Sequence, residues 1–231
     1  MSATDNRIYV SGYFNGNRVQ IFDGTTRAYI ATLGTNGSAG SSNAQLRNPM
    51  GVAVSATGGR IYVADVGNHR VQIFDGATHN YIATLGTNGS AGASNAQLHY
   101  PMGVAVSATD NRIYVADRNN NRVQVFNGAT HTYIATLGTN GSAGVSNAQL
   151  YSPVGVAVSA TDNRIYVTDY FSHRVQVFDG ATRAYIATLG ITSSAGASNA
   201  QFNGPWGVAV SATDNRIYVA DYYNHRVQVF D

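Results

Sequence analysis

"PWGVAVSATDNRIYVADYYNHRVQVFD" (205–231) contains three short apolar-alternating runs, "GVAV", "RIYVAD" and "RVQVFD", joined by "SATDN" and "YYNH". Each run is rich in Val, Ile, Tyr and Phe with a period of two, the pattern of a β-strand with one covered face. "RIYV" returns at 7, 60, 112, 164 and 216, a spacing of 52 with one of 53, and the extra residue lies in "SGYFNGNRV" (11–19). A fourth run, "YIATLG", follows "RVQVFDG" through "AT" and completes the unit. Strands one and two meet at Asp-Asn in four copies and at Gly58-Gly59 in the fifth. Asn, Asp and Gly tolerate the positive φ of a tight turn. Four antiparallel strands repeated about every fifty residues predict an all-β chain, a β-propeller of four-stranded blades.

Strand one, "GVAV", carries small side chains and suits the crowded axis. Strands one and four occur four times, strands two and three five times. The expectation is therefore about five blades, the first lacking its inner strand and the last its outer one. The chain reads as a single domain, 1–231, with units at approximately 1–48, 49–100, 101–152, 153–204 and 205–231. Missing strands leave unpaired backbone groups at both ends, an invitation to homo-oligomer formation through the incomplete terminal blades.

Composition excludes several function classes. There is no Cys, Lys or Glu, which removes thiolate metal sites and many acid–base and nucleophile options. No catalytic residue, metal site or cofactor is expected. Net charge is +2, but ten of the fourteen Arg recur at two scaffold positions, leaving a poor phosphate-binding stripe. Apolar runs of four or five residues predict no membrane span, and "MSATDNRIYV" lacks an export signal, so the compartment stays unknown. "NGS" at 36, 88 and 140 matches a glycosylation acceptor and reads as turn chemistry.

"QFNGPWGVAVSATDNRIYVADYYNHRVQVFD" (201–231) resembles an NHL repeat, and the pattern returns over nearly the whole chain. Two departures are the long linker "GTNGSAGASNAQL" and Gly12, which stands where the other copies have Asp. The resemblance implies an interaction scaffold, with protein as the expected partner.

Copies within one chain separate scaffold from free positions. Free positions concentrate in the two-to-three loops and beside the Pro before strand one, which a meander places at one end of the propeller, here called the upper face. In the two-to-three loops they include Tyr13, Phe14, Arg118, Tyr170, Phe171, Tyr222 and Tyr223. Beside the Pro they include Arg47, Met50, His99, Tyr100, Met102, Tyr151 and Trp206. Aromatic residues with Asn, Ser and occasional Arg suit a rigid binding surface. The opposing reading is that these rings pack against the next blade and seal the core.

Asp65 and Arg70, Asp117 and Arg122, Asp169 and Arg174, and Asp221 and Arg226 face each other across one short loop and read as structural pairs. His69, His173 and His225 share a position with Asn17 and Asn121, a swap that suits loop hydrogen bonding and not a ring of metal ligands. Arg27, His79, His131 and Arg183 read as solvated lower surface. For the upper face, protein interaction is the leading reading. The alternatives are a lectin-like glycan site, single-stranded RNA, and an amplified or designed propeller without an evolved ligand, the last suggested by Met1 before a mid-unit "SAT".

Overall fold

The computed structural model describes residues 5–56 and 59–231. Gly58 and the opening "MSAT" lie outside the described residues. The described residues form eighteen strands in five antiparallel sheets. The first sheet has three strands, β1 (Arg7–Gly12), β2 (Arg18–Asp23) and β3 (Tyr29–Gly34). Three sheets have four: β4 (Pro49–Val54), β5 (Arg60–Asp65), β6 (Arg70–Asp75) and β7 (Tyr81–Leu85); then β8 (Pro101–Val106), β9 (Arg112–Asp117), β10 (Arg122–Asn127) and β11 (Tyr133–Leu137); then β12 (Pro153–Val158), β13 (Arg164–Asp169), β14 (Arg174–Asp179) and β15 (Tyr185–Leu189). The fifth has β16 (Pro205–Val210), β17 (Ile217–Asp221) and β18 (Arg226–Phe230). Among the described residues this is a five-bladed all-β propeller whose first blade has no inner strand and whose last has no outer strand.

The inner strands stand side by side around the axis. A Cβ on Gly51 would lie 2.6 Å from the Met102 carbonyl oxygen, on Gly103 2.5 Å from that of Val154, and on Gly155 2.7 Å from that of Trp206. Glycine at this position of "P-x-G-V-A-V" is what permits the approach.

Apolar cores lie between blades. Tyr62, Val71 and Ile73 of the second blade meet Leu98, Ile113, Val115 and Phe126 of the third, and equivalent residues repeat this at each of four interfaces. On the lower face, turns place Asn6, Asn111, Asn163, Asn215 and Gly59 at φ of 52 to 57°. Arg7, Arg60 and Arg112 each donate from Nη1 to a carbonyl of the next blade: Gly76, Gly128 and Gly180, at 2.5, 2.6 and 2.8 Å. His79 and His131 are half-buried in these junctions, with Nε2 3.4 and 3.1 Å from Arg7 and Arg60. They are blade-to-blade packing, not the fully solvated surface that the alternation with Arg27 and Arg183 implied. All four also hold φ near +60°, a conformation shared by the position and not by a residue type.

Candidate functional site

Each two-to-three loop is one 3-10 turn, exemplified by Val66–Asn68 and Tyr170–Ser172, closed by a left-handed residue. Those closing residues are Asn17, His69, Asn121, His173 and His225, at φ of 45 to 56°. Asn and His both tolerate this region, and both carry an acceptor two bonds beyond Cβ. Asn17 Oδ1 accepts the Asn48 N–H at 3.1 Å and Asn121 Oδ1 the Ser152 N–H at 3.0 Å. His69 Nδ1 accepts the Tyr100 N–H at 3.3 Å, and His173 Nδ1 the Gly204 N–H at 3.1 Å. The position ties each blade to the linker that enters the next.

The Asp at the end of strand two organises the loop. Asp117 Oδ1 accepts the His99 N–H at 2.6 Å, while Oδ2 accepts from Asn120 Nδ2 at 2.8 Å and Arg122 Nε at 2.7 Å. Asp65 and Asp169 make the corresponding ion pairs with Arg70 and Arg174 at 2.7 and 2.8 Å, all fully buried or nearly so. Burial pushes the Asp65, Asp117 and Asp169 carboxyls up, against the opposing pull of these bonds. Asp221 is lowered: burial still raises it but is outweighed by the Asn203 N–H, Asn224 and Arg226, the last partly open to solvent.

The arginine does more than pair with Asp. Arg122 donates to the carbonyls of Ala93, Ser94 and Gln97, each at 2.9 Å, so the linker wraps the guanidinium. Arg70 and Arg174 repeat this on their own linkers. The long Ser- and Asn-rich linker is the shell of a buried cation, a role not visible in the spacing. Arg18, opposite Gly12, instead donates to Gln20 Oε1 at 3.3 Å.

Main-chain bonds bring the free positions together. The N–H groups of Gly67, Asn119, Phe171 and Tyr223 donate to the carbonyls of Arg47, His99, Tyr151 and Asn203 at 2.9 to 3.2 Å. Backbone groups fix these pairs, so their side chains are free to differ. The resulting surface is uneven. Six rings run continuously over the fourth and fifth blades: Tyr151–Phe171 at 4.9 Å, Phe171–Tyr170 at 4.9, Tyr170–Trp206 at 5.6, Trp206–Tyr222 at 5.5 and Tyr222–Tyr223 at 5.0. Tyr170 donates its hydroxyl to Tyr223 Oη at 2.8 Å, and burial pushes the Tyr170 phenol up to about 12. Gly204 lies beneath this pair, where a Cβ would meet both rings at 2.8–3.0 Å. A second group joins His69, His99 and Tyr100, and a third Tyr13 and Phe14.

The sequence-derived residues divide between plug and rim. Met102 and Tyr170 are buried, packed with Val66 and Val154, while Met50 and Trp206 are half-buried against them. Tyr13, Phe14, Tyr100, Tyr151, Phe171, Tyr222 and Tyr223 are 42 to 71% exposed. Arg118 is committed to structure, with Nε donating to Ser152 Oγ at 2.8 Å and its guanidinium 6.0 Å from the Tyr170 ring. Arg47 is exposed and lies across Gly67. Inside the rim, a cavity of about 230 Å³ on the axis is bounded by Ser11, Tyr13, Met50, Met102, Val154 and Trp206. Thr168, in a strand column otherwise occupied by Ala or Ser, was legible only as scaffold. Its Oγ1 accepts the Gly155 N–H at 2.7 Å and donates to the Trp206 carbonyl at 2.8 Å, anchoring the backbone under the tryptophan.

Comparison with known proteins agrees with this architecture. The family model described as NHL repeat matches residues 46–74, 98–126, 150–178 and 202–230, about half of the chain. SUPPRESSOR OF QUENCHING 1, chloroplastic, of Arabidopsis thaliana is 25% identical over 87% of this chain and 22% of its own length. Human NHL repeat-containing protein 2 is 33% identical over 37% of this chain and 12% of its own. The chain thus spans less than a quarter of either relative. A crystal structure of a structural genomics protein of unknown function from Bacteroides thetaiotaomicron superposes with a TM-score of 0.74, 19% identity and coverage of 99% of this chain and 57% of that one.

Proposed function

The chain belongs to the NHL-repeat family of β-propellers, and from that premise we infer that it is a non-catalytic binding module that engages another protein through the upper face. One observation carries the reading: six contiguous rings across the fourth and fifth blades, four of them in the exposed rim, held by main-chain bonds that tolerate any side chain. Rigid aromatic groups give contact area at low entropic cost, the property of interface hot spots. Of the two variable upper-face arginines, Arg118 is held in place by Ser152 and Tyr170 and Arg47 is exposed, a poor match to a run of RNA phosphates.

The test is capture of a protein partner by the wild-type chain and by a Phe171→Ala/Tyr222→Ala/Tyr223→Ala variant. Loss of capture with an unchanged melting temperature supports the reading. Equal capture by both overturns it. So does a wild-type chain that binds a glycan array or single-stranded RNA through these rings and captures no protein.

A further inference from the structure

Arg118 differs in kind from its counterparts. The same loop position holds Val66, Tyr170 and Tyr222 in the second, fourth and fifth blades. The bond that ties Arg118 to the fold uses Nε alone, which donates to the hydroxyl of the buried Ser152 at 2.8 Å. Among the described residues neither Nη donates to an acceptor and no carboxylate pairs with the side chain. The adjacent Asp117 turns inward to Arg122, with both groups wholly buried. The guanidinium is thus fixed in place with its Nη edge open.

The upper face exposes no carboxylate among the described residues. The sequence has no Glu, and the Asp residues at this end, Asp65, Asp117, Asp169 and Asp221, are all buried. The remaining Asp lie in the lower turns or at the lower ends of strands. An open arginine on a face without acids is complemented by a carboxylate from outside. One ring separates this cation from the axis: the guanidinium lies 6.0 Å from Tyr170, and Tyr170 lies 5.6 Å from Trp206. Trp206 stands with Met50, Met102 and Val154 at one shared position of four inner strands, around the axial cavity. Flexible thioethers beside an indole adapt to a bulky apolar side chain.

We propose that the partner presents an acidic peptide segment to this face, with a bulky apolar side chain seated on the axis against Met102 and Trp206 and an Asp or Glu carboxylate on the Nη edge of Arg118. This rests on the upper-face reading above and names the chemistry of the partner. Side chains two residues apart on one side of an extended segment are separated by about 7 Å, so the acid belongs within about two residues of the apolar anchor. A lone open arginine accommodates a single carboxylate and gives the contact a direction along the ring series from Tyr170 to Trp206.

Selection of a displayed library of random dodecapeptides on the 231-residue chain tests this. Enriched peptides are expected to carry Asp or Glu within about two residues of a Phe, Leu, Ile, Met or Trp. For a synthetic copy of such a peptide, replacing the acid by its amide should weaken binding to the wild type at least about tenfold, a loss of about 1.4 kcal/mol. On Arg118→Gln the same replacement should change binding by less than about twofold, because the two groups act on each other. Arg118→Met, which keeps the stem against Tyr170, takes the place of Arg118→Gln if that variant loses its cooperative melt. Enriched peptides that lack acids but need Phe171, Tyr222 and Tyr223 overturn this proposal and leave the upper-face reading standing. Acidic peptides that bind wild type and Arg118→Gln alike also overturn it, as does a library from which nothing is enriched. Peptides held equally by the wild type and the Phe171→Ala/Tyr222→Ala/Tyr223→Ala variant overturn the proposal and the reading together.

Discussion

His69 Nδ1 accepts the backbone N–H of Tyr100 at 3.3 Å, 31 residues away, in the place where Asn121 Oδ1 accepts that of Ser152. The bond needs an unprotonated Nδ1. Burial, helped by the neighbouring His99 and Arg47, lowers the His69 pKa below its ordinary value, and burial does the same at His173. With a folded-state pKa below the unfolded one, stability is complete above about pH 6.5 and falls as pH drops through that value toward the folded pKa. Thermal melts between pH 7.5 and 5 should show this decline, and His69→Asn/His173→Asn, which keeps the acceptor and the left-handed backbone, should lessen it, leaving the share of His79 and His131, which burial lowers in the same direction. An equally steep decline in the double variant would assign the effect elsewhere.

Arg122 and Arg18 occupy the same position in different surroundings. Removing Arg122 leaves the Asp117 carboxylate buried without its cation and takes one donor from each of three linker carbonyls, so Arg122→Ala should cost about 3–5 kcal/mol in denaturant unfolding. Arg18→Ala loses one bond to Gln20 and should cost below about 1 kcal/mol. Similar losses in both would mean that the linker shell contributes little.

Glycine at the axis gives another matched pair. Gly103→Ala places a methyl 2.5 Å from the Val154 oxygen and should destabilise by about 1–3 kcal/mol. At Gly207 the nearest contact is Ala220 Cβ at 3.8 Å, so Gly207→Ala should be tolerated. Melting temperatures of the two variants decide the matter.

The aromatic residues should divide along the plug and rim. Tyr170→Ala empties a buried site and should cost about 3–5 kcal/mol, the range of large aromatic truncations. Tyr222→Ala should leave unfolding nearly unchanged, since that ring is 55% exposed. A large loss at Tyr222 would make the rim part of the core.

Strands, turns and blade count were legible because the period-two runs recur and the turn residues match the backbone they must adopt. Asn111 and Gly59 share a positive φ although one copy reads Asp-Asn and another Gly-Gly. The interior of the upper face was less legible. Variation among copies marks a position as free from the scaffold, but it does not say whether the side chain turns inward, as Met102 and Tyr170 do, or outward, as Tyr222 does. The wrapped arginine was hidden for a different reason. Its acceptors are backbone carbonyls, which leave no trace in residue identity beyond the length of the loop.

Because every blade meets its neighbour through the same side chains, the contacts hold almost no record of which blade follows which. Thr168 beneath Trp206 is one of the few features that mark a place in the order. Excising residues 101–152 would bring the second blade against the fourth with chemically equivalent faces. Copy number in such a chain is therefore a free variable, open to gain or loss of whole units without any interface having to be reinvented.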